Sequence, residues 1–127
     1  ALTRHLIPGS KLKRIFNHIM RIENRNGEGE CYQVNKKVKA VYNEKFRSIE
    51  LLEINGKNVE DDSLYKICIQ GYHLNNSIDY LNISNEELIE SGKSKVITTS
   101  AQEVLLEYLR NHQNLGSNIE GRLIYKV

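Results

Sequence analysis

The stretch Val38–Ile69, VKAVYNEKFRSIELLEINGKNVEDDSLYKICI, decides the fold class. Val38, Ala40 and Tyr42 recur at every second position, which predicts a strand over Val38–Tyr42 with one inward face. Ile49–Ile54 reads as a second strand, and Asn55-Gly56 directly after it is a hairpin turn, because both residue types accept the positive φ such a turn needs. Val59 and Leu64–Ile69 continue the β region, with Tyr65, Ile67 and Ile69 alternating against Lys66 and Cys68. No helical period separates these strands. They cluster instead of alternating with helices, so the expected fold is α+β, with mostly antiparallel or mixed strands and three helices outside the cluster.

Upstream, Leu2–Ile7 predicts a short strand stopped at Pro8-Gly9, and Ser10 is placed to cap a helix. Leu12, Ile15, Phe16 and Ile19 form one apolar face of that helix, which runs to about Ile22 and leaves His18 on the solvent side. Asn24–Glu30, with Asn26-Gly27 and Gly29, carries a turn signal before a strand over Cys31–Val34. Downstream, Gly71–Asn82 is a polar loop holding Tyr72, His73, Asn75, Asn76, Asp79 and Tyr80, and such loops are where sites tend to lie. Ser84-Asn85-Glu86-Glu87 has capping-box form and predicts a short helix to about Ser91, closed by Gly92. Val96–Thr99 is a short strand, and Ser100-Ala101-Gln102-Glu103 is a second capping box. It opens a helix whose apolar face is Ala101, Val104, Leu105, Tyr108 and Leu109. Gly121–Val127 closes the chain as a strand.

With 127 residues, 39% hydrophobic and 27% charged, the chain reads as one soluble globular domain, long enough to build a core without disulfides or a structural metal. Its 18 Lys and Arg against 16 Asp and Glu leave a charge of +2, which argues against a nucleic-acid partner. No apolar run approaches the roughly 20 residues of a membrane span, and no signal-peptide pattern is present. Cys31 and Cys68 form no CxxC; they are either one bridge or two buried free thiols. His5, His18, His73 and His112 are scattered, no Gly-rich phosphate loop appears and no GxSxG nucleophile occurs, so no metal or catalytic centre is expected in this chain. Lys11, Lys13 and Arg14, and Lys36, Lys37 and Lys39, read as solvated faces, with a small nucleic-acid surface on the second cluster as the alternative. Seven Tyr against two Phe is a skewed ratio, and Tyr offers a flat stacking face with a polar handle. Tyr32, Tyr72 and Tyr80 sit at predicted strand ends and in the polar loop, where packing at the core or its rim is their ordinary role. The residues alone describe a domain that binds and does not catalyse.

Gly9-Ser10-Lys11-Leu12-Lys13-Arg14-Ile15-Phe16-Asn17-His18 is similar to the Gly-Ser-x-Leu-Lys-x-x-Phe-x-His-like segment of the 5'-nucleotidase family's C-terminal domain. Three further pieces resemble that family in the same order: Gly29-Glu30-Cys31-Tyr32-Gln33-Val34, then Ile54–Val59 followed by Leu64-Tyr65-Lys66-Ile67, and finally Ile119–Ile124 with its Glu-Gly-Arg core. The resemblance spans nearly the whole chain. It implies that residues 1–127 are a single domain, the later part of the substrate-recognition domain. A dinuclear divalent metal centre would lie on an N-terminal metallophosphoesterase domain of the same polypeptide, outside these residues. Family members are mostly exported or surface-attached, which implies an extracellular, periplasmic or cell-surface location.

The resemblance also implies a site for a nucleoside or nucleotide. One stacking aromatic of the family falls at Cys31, which cannot stack, with Tyr32 as its substitute if the strand register shifts. The second falls at Tyr72. Asp79 stands one place later than the ribose-binding Asp, because the family's Gly-Gly-Asp is lost and the run here is Asn76-Ser77-Ile78-Asp79, and Asn75 is the other candidate for ribose hydroxyls. The altered motif leaves a second reading, in which the domain has become a structural or interaction module of a surface or secreted protein.

Overall fold

The computed structural model describes residues 1–26 and 32–127. Strand β1 (Leu2–Pro8) runs into helix α1 (Gly9–Ile19), followed by the short helix α2 (Ile22–Asn26). The β region is β2 (Val38–Asn43), β3 (Ser48–Ile54), β4 (Lys57–Asn58) and β5 (Leu64–Gln70). Three five-residue helices follow, α3 (Gly71–Asn75), α4 (Ser77–Leu81) and α5 (Asn85–Ile89), then β6 (Lys95–Thr98), α6 (Ala101–Asn111) and β7 (Leu123–Lys126). The fold is α+β as expected, with six helices among the described residues where three were expected. The additions, α2, α3 and α4, are each one to two turns and too short for an apolar period to reveal them.

Two sheets carry the strands. One has the order β5-β1-β6, antiparallel throughout; the other has the order β4-β3-β2-β7, antiparallel except for the parallel pair β2 and β7. The alternation of Val38–Tyr42 holds, with Ala40 and Tyr42 buried. Ile54 pairs with Lys57 across Asn55-Gly56, and both turn residues have positive φ, 55° and 77°, as the two-residue hairpin requires. Helix α1 touches both sheets and α4. Its predicted face, Leu12, Ile15, Phe16 and Ile19, is buried in one cluster with Ile7, Ala40, Tyr42, Leu52 and Ile69, each large side chain contributing roughly 1.5–3 kcal/mol relative to exposure.

Several local expectations need correction. Ser10 does not cap α1: the helix starts at Gly9 with Pro8 at the N-cap and no side-chain cap. The free amides are taken instead by backbone, Gly9 N–H to Ser63 C=O at 2.9 Å and Ser10 N–H to Asp61 C=O at 3.1 Å. The helix breaks at Met20 instead of reaching Ile22. Asn24–Asn26 belongs to α2, and the rest of the expected turn lies outside the described residues. The strand expected over Cys31–Val34 is not formed at Tyr32–Val34, which carries no regular structure. Gly71–Asn82 is a helical pair, not a loop. Cys68, expected buried, is exposed, because it sits on the outward side of β5 opposite Ile69 and Ile67.

The largest correction concerns α6. Ser100 accepts from the Glu103 N–H at 3.2 Å, but the reciprocal half of the expected capping box is not made, because the Ser100 N–H donates to Thr98 Oγ1 at 3.2 Å. The apolar face, however, meets no core: Val104, Leu105, Tyr108 and Leu109 are all exposed.

Candidate functional site

The α3–α4 pair begins where β5 ends. Gly71 N–H donates to Ala1 C=O at 2.9 Å, which ties the start of α3 to the beginning of β1. Asn76 ends α3: its Nδ2 donates to Tyr72 C=O at 2.9 Å and its backbone N–H to the same oxygen at 3.2 Å. Ser77 is buried and donates from Oγ to Asn85 Oδ1 at 3.2 Å, and Asn82 closes α4 in the left-handed region. Helix α4 leans on α1, where His18 Nε2 donates to Asp79 C=O at 2.7 Å. His18 is thus half-buried and structural, against the expectation of a free solvent histidine. The Ser84 capping box is complete, Glu87 N–H to Ser84 Oγ at 3.1 Å and Ser84 N–H to Glu87 Oε1 at 3.2 Å. Glu87 also pairs with Arg14, and the Arg14 hydrogen bond together with the Ser84 amide holds its carboxyl below the usual range. These contacts fix the α3–α5 segment against α1.

On this platform four aromatic rings meet. Tyr72 lies 5.4 Å from Tyr80 at 49° and 5.6 Å from His73 at 86°, and His73 lies 5.9 Å from Tyr80 and 5.7 Å from Tyr32. These are ordinary separations for edge and tilted aromatic contacts. The hydroxyls of Tyr72 and Tyr80 are 2.9 Å apart, and Tyr32 Oη donates to Tyr80 C=O at 3.1 Å. Tyr72 keeps 55% of its surface open to solvent, so one ring of the cluster stands outward. Asn75 and Asp79 are exposed and share a separate open concavity of about 400 Å³ with Asn76, Asn85 and Glu86, whose lining includes none of the four rings.

Of the residues singled out from the sequence, the structure brings Tyr32 and Tyr72 into one cluster and Asn75 and Asp79 into a neighbouring one. Cys31 lies outside the described residues. The register shift on which Tyr32's substitution depended does not arise, since Tyr32 is not in a strand. His73 and Tyr80 were named in the polar loop but given no role at the site. Their signal was the eight-residue spacing of Tyr72 and Tyr80, which brings the two together only once each lies on its own short helix. Lys36, Lys37 and Lys39 are exposed on the turn before β2 and on β2 itself, elements apart from the aromatic cluster.

Chemically, an outward aromatic ring offers a face to a flat ligand, and amide and carboxylate side chains suit hydroxyl groups. Among the described residues no group of three or more His, Cys, Asp or Glu side chains converges on one point. Among them too, no helix is long and apolar enough to cross a membrane.

The arrangement is therefore that of an α+β domain with an aromatic cluster at the β5–α3 junction. Among solved structures, the chain is similar to the 5'-nucleotidase precursor from Thermus thermophilus, with a TM-score of 0.78 and 14% sequence identity over 98% of this chain. The match covers 25% of that protein, so the chain spans about a quarter of its length. No family model matches the sequence, and no curated protein matches it. The likeness is one of fold, and it meets the family resemblance read from the sequence: this is a 5'-nucleotidase-like fold.

Proposed function

We propose that this chain is the nucleoside-recognition part of a 5'-nucleotidase-like metallophosphoesterase that hydrolyses nucleotide phosphate esters. In this reading residues 1–127 form one domain, a portion of the substrate-recognition domain, and the dinuclear metal centre belongs to an N-terminal metallophosphoesterase domain of the same polypeptide. Tyr72 stacks the base. Tyr32, His73 and Tyr80 back it, and Asn75 or Asp79 meets the ribose hydroxyls. The observation that carries the reading is the outward Tyr72 ring, in contact with the rings of His73 and Tyr80 and, through His73, linked to Tyr32, on a 5'-nucleotidase-like fold.

The test is a titration of the chain with adenosine, uridine and AMP, followed by NMR or thermal shift and repeated on Tyr72→Ala. Aromatic–base stacking is worth roughly 1–3 kcal/mol per base, so the variant should lose about 5–150-fold in affinity. Tyr72 is mostly exposed, so its truncation leaves the fold in place. Equal affinity in both proteins would refute the stacking role. Silence from every ligand, in the chain and in a longer form carrying the metal domain, would favour the non-binding interaction module.

A further inference from the structure

Helix α4 carries two residues of the proposed site, Asp79 and Tyr80, yet it is five residues long. A helix of that length does not stand alone in water, because fixing its first turn costs more backbone freedom than its hydrogen bonds return. Part of the support is local: Asn82 N–H donates to Ile78 C=O at 3.1 Å and Ile83 N–H to Ser77 C=O at 3.3 Å. The carbonyls of Asp79 and Tyr80 lie in the last turn, where a helix offers no N–H of its own. Side chains from remote parts of the chain meet both. Asp79 C=O accepts from His18 Nε2 at 2.7 Å, and Tyr80 C=O accepts from Tyr32 Oη at 3.1 Å. His18 thus grips the residue directly before the tyrosine whose hydroxyl meets that of Tyr72.

The His18 ring is presented from a fixed backbone. Where α1 ends, Arg21 Nε and Asn24 Nδ2 both donate to His18 C=O, at 2.9 and 3.0 Å. Arg21 also brings Nη2 to 3.1 Å from the same Nε2 that serves Asp79. A guanidinium can only donate, a carbonyl can only accept, and Nε2 carries either a hydrogen or a lone pair. The two partners therefore compete for one atom. The shorter contact is the one to Asp79, and it requires the hydrogen on Nε2. In the other tautomer Nε2 accepts from Arg21, and the Asp79 carbonyl loses its donor.

We infer that His18 is a positioning residue of the nucleoside site: with its hydrogen on Nε2 it latches α4 to α1 and so sets where Asp79 and Tyr80 stand relative to Tyr72. It acts through α4 and is not itself a contact of base or ribose. The inference rests on the nucleoside reading of Tyr72, while the latch is open to test without any ligand.

The experiment compares the chain with three variants. His18→Leu keeps apolar bulk and removes the latch. His18→Gln restores it, because the amide NH2 donates to the Asp79 carbonyl while the amide oxygen accepts from Arg21, which ends the competition. Asn17→Ala is the control for a weakened α1, since it deletes the bond that Asn17 Oδ1 accepts from Ile49 N–H on β3 at 2.7 Å. Without ligand, long-range nitrogen–proton NMR should find the neutral His18 ring protonated on Nε2. Contacts between the Tyr72 and Tyr80 ring protons should persist in His18→Gln and Asn17→Ala and vanish in His18→Leu. With adenosine, His18→Leu should bind at least about 5-fold more weakly, the worth of one lost hydrogen bond, and the other two within about 2-fold of the parent chain. A neutral ring protonated on Nδ1, or unchanged ring contacts in His18→Leu, would overturn the latch. So would equal losses in His18→Leu and Asn17→Ala, or a His18→Gln protein that behaves as the leucine variant does. Should His18→Leu fail to fold, the tautomer and the glutamine variant still decide. A parent chain that binds no adenosine would sink the Tyr72 reading, and the ligand-free spectra would judge the latch by itself.

Discussion

Gly9→Ala tests how α1 is anchored. A methyl group at Gly9 would stand 1.9 Å from the Glu60 carbonyl oxygen and 2.9 Å from Val59 Cγ1, and the first contact is with backbone that cannot rotate away. Relief needs a shift of the 60–63 segment of about 1 Å. That shift stretches two hydrogen bonds at once, Gly9 N–H to Ser63 C=O and Ser10 N–H to Asp61 C=O. Each is worth about 1 kcal/mol net, and overpacking adds about 1–3 kcal/mol. Alanine's better helix propensity returns about 1 kcal/mol, leaving a loss of about 2–4 kcal/mol. Urea unfolding at constant m-value measures it, with Gly116→Ala as the control, since nothing lies within 4 Å of a Cβ there. The control should change stability by less than about 0.5 kcal/mol. An unchanged or raised midpoint for Gly9→Ala would refute the close approach of α1 to the β4–β5 connection.

The remaining predictions concern pH, capping and the tyrosine pair. In β1 the Thr3 hydroxyl donates to Ile69 C=O at 3.4 Å, so His5 Nε2–H donates to Thr3 Oγ1 at 2.8 Å and the buried Nδ1 has no partner. Burial accordingly lowers the His5 pKa from its ordinary 6.5. The unfolded chain then binds the extra proton first, and stability should fall as pH drops through about 6.5 towards the lowered value. Glu87, held low first by Arg14, should add a second loss below about pH 4.5. A urea midpoint that stays flat from pH 7.5 to 5 would contradict the His5 argument. Ser84→Ala removes one half of the capping box and should cost about 1 kcal/mol in the same assay; no change would mean that α5 is held by Leu88 packing alone. Tyr80→Phe deletes the hydroxyl that meets Tyr72 and should alter stability by less than about 0.5 kcal/mol. On the proposed reading it lowers nucleoside affinity by about 3–10-fold, the worth of one hydrogen bond, and calorimetry showing wild-type affinity would remove Tyr80 from the site.

Much of the fold was legible in residue order. The alternation in Val38–Tyr42 and Leu64–Ile69, the Asn55-Gly56 turn and the α1 stripe each follow from local periods that the sheets and core then reward. The capping box at Ser84 is similarly local, since all its partners lie within three residues. Reading failed where the deciding partner is remote. Ser10 was expected to cap α1, but the carbonyls of Asp61 and Ser63, over fifty residues away, take its place. His18 was placed in solvent, yet its ring bonds the Asp79 carbonyl on α4. The polar run Gly71–Asn82 has no apolar period to announce two five-residue helices, which depend on α1 and Asn85 for support.

The candidate site divides along the same line. Tyr72, Asn75 and Asp79 were picked out by position within a resemblance, and Tyr32 as a substitute for Cys31. That Tyr32 reaches the Tyr72 cluster through His73, while Asn75 and Asp79 open onto a different concavity, follows from the turn between α3 and α4 and from no feature of spacing alone. The sequence by itself determined the α+β class, the hairpin, the core face of α1 and the starts of α5 and α6, because those depend on neighbours a few residues apart. Only the tertiary structure decided which tyrosines meet and whether the apolar stripe of α6 finds a partner. Both depend on contacts between segments far apart in the chain, which local periodicity does not encode.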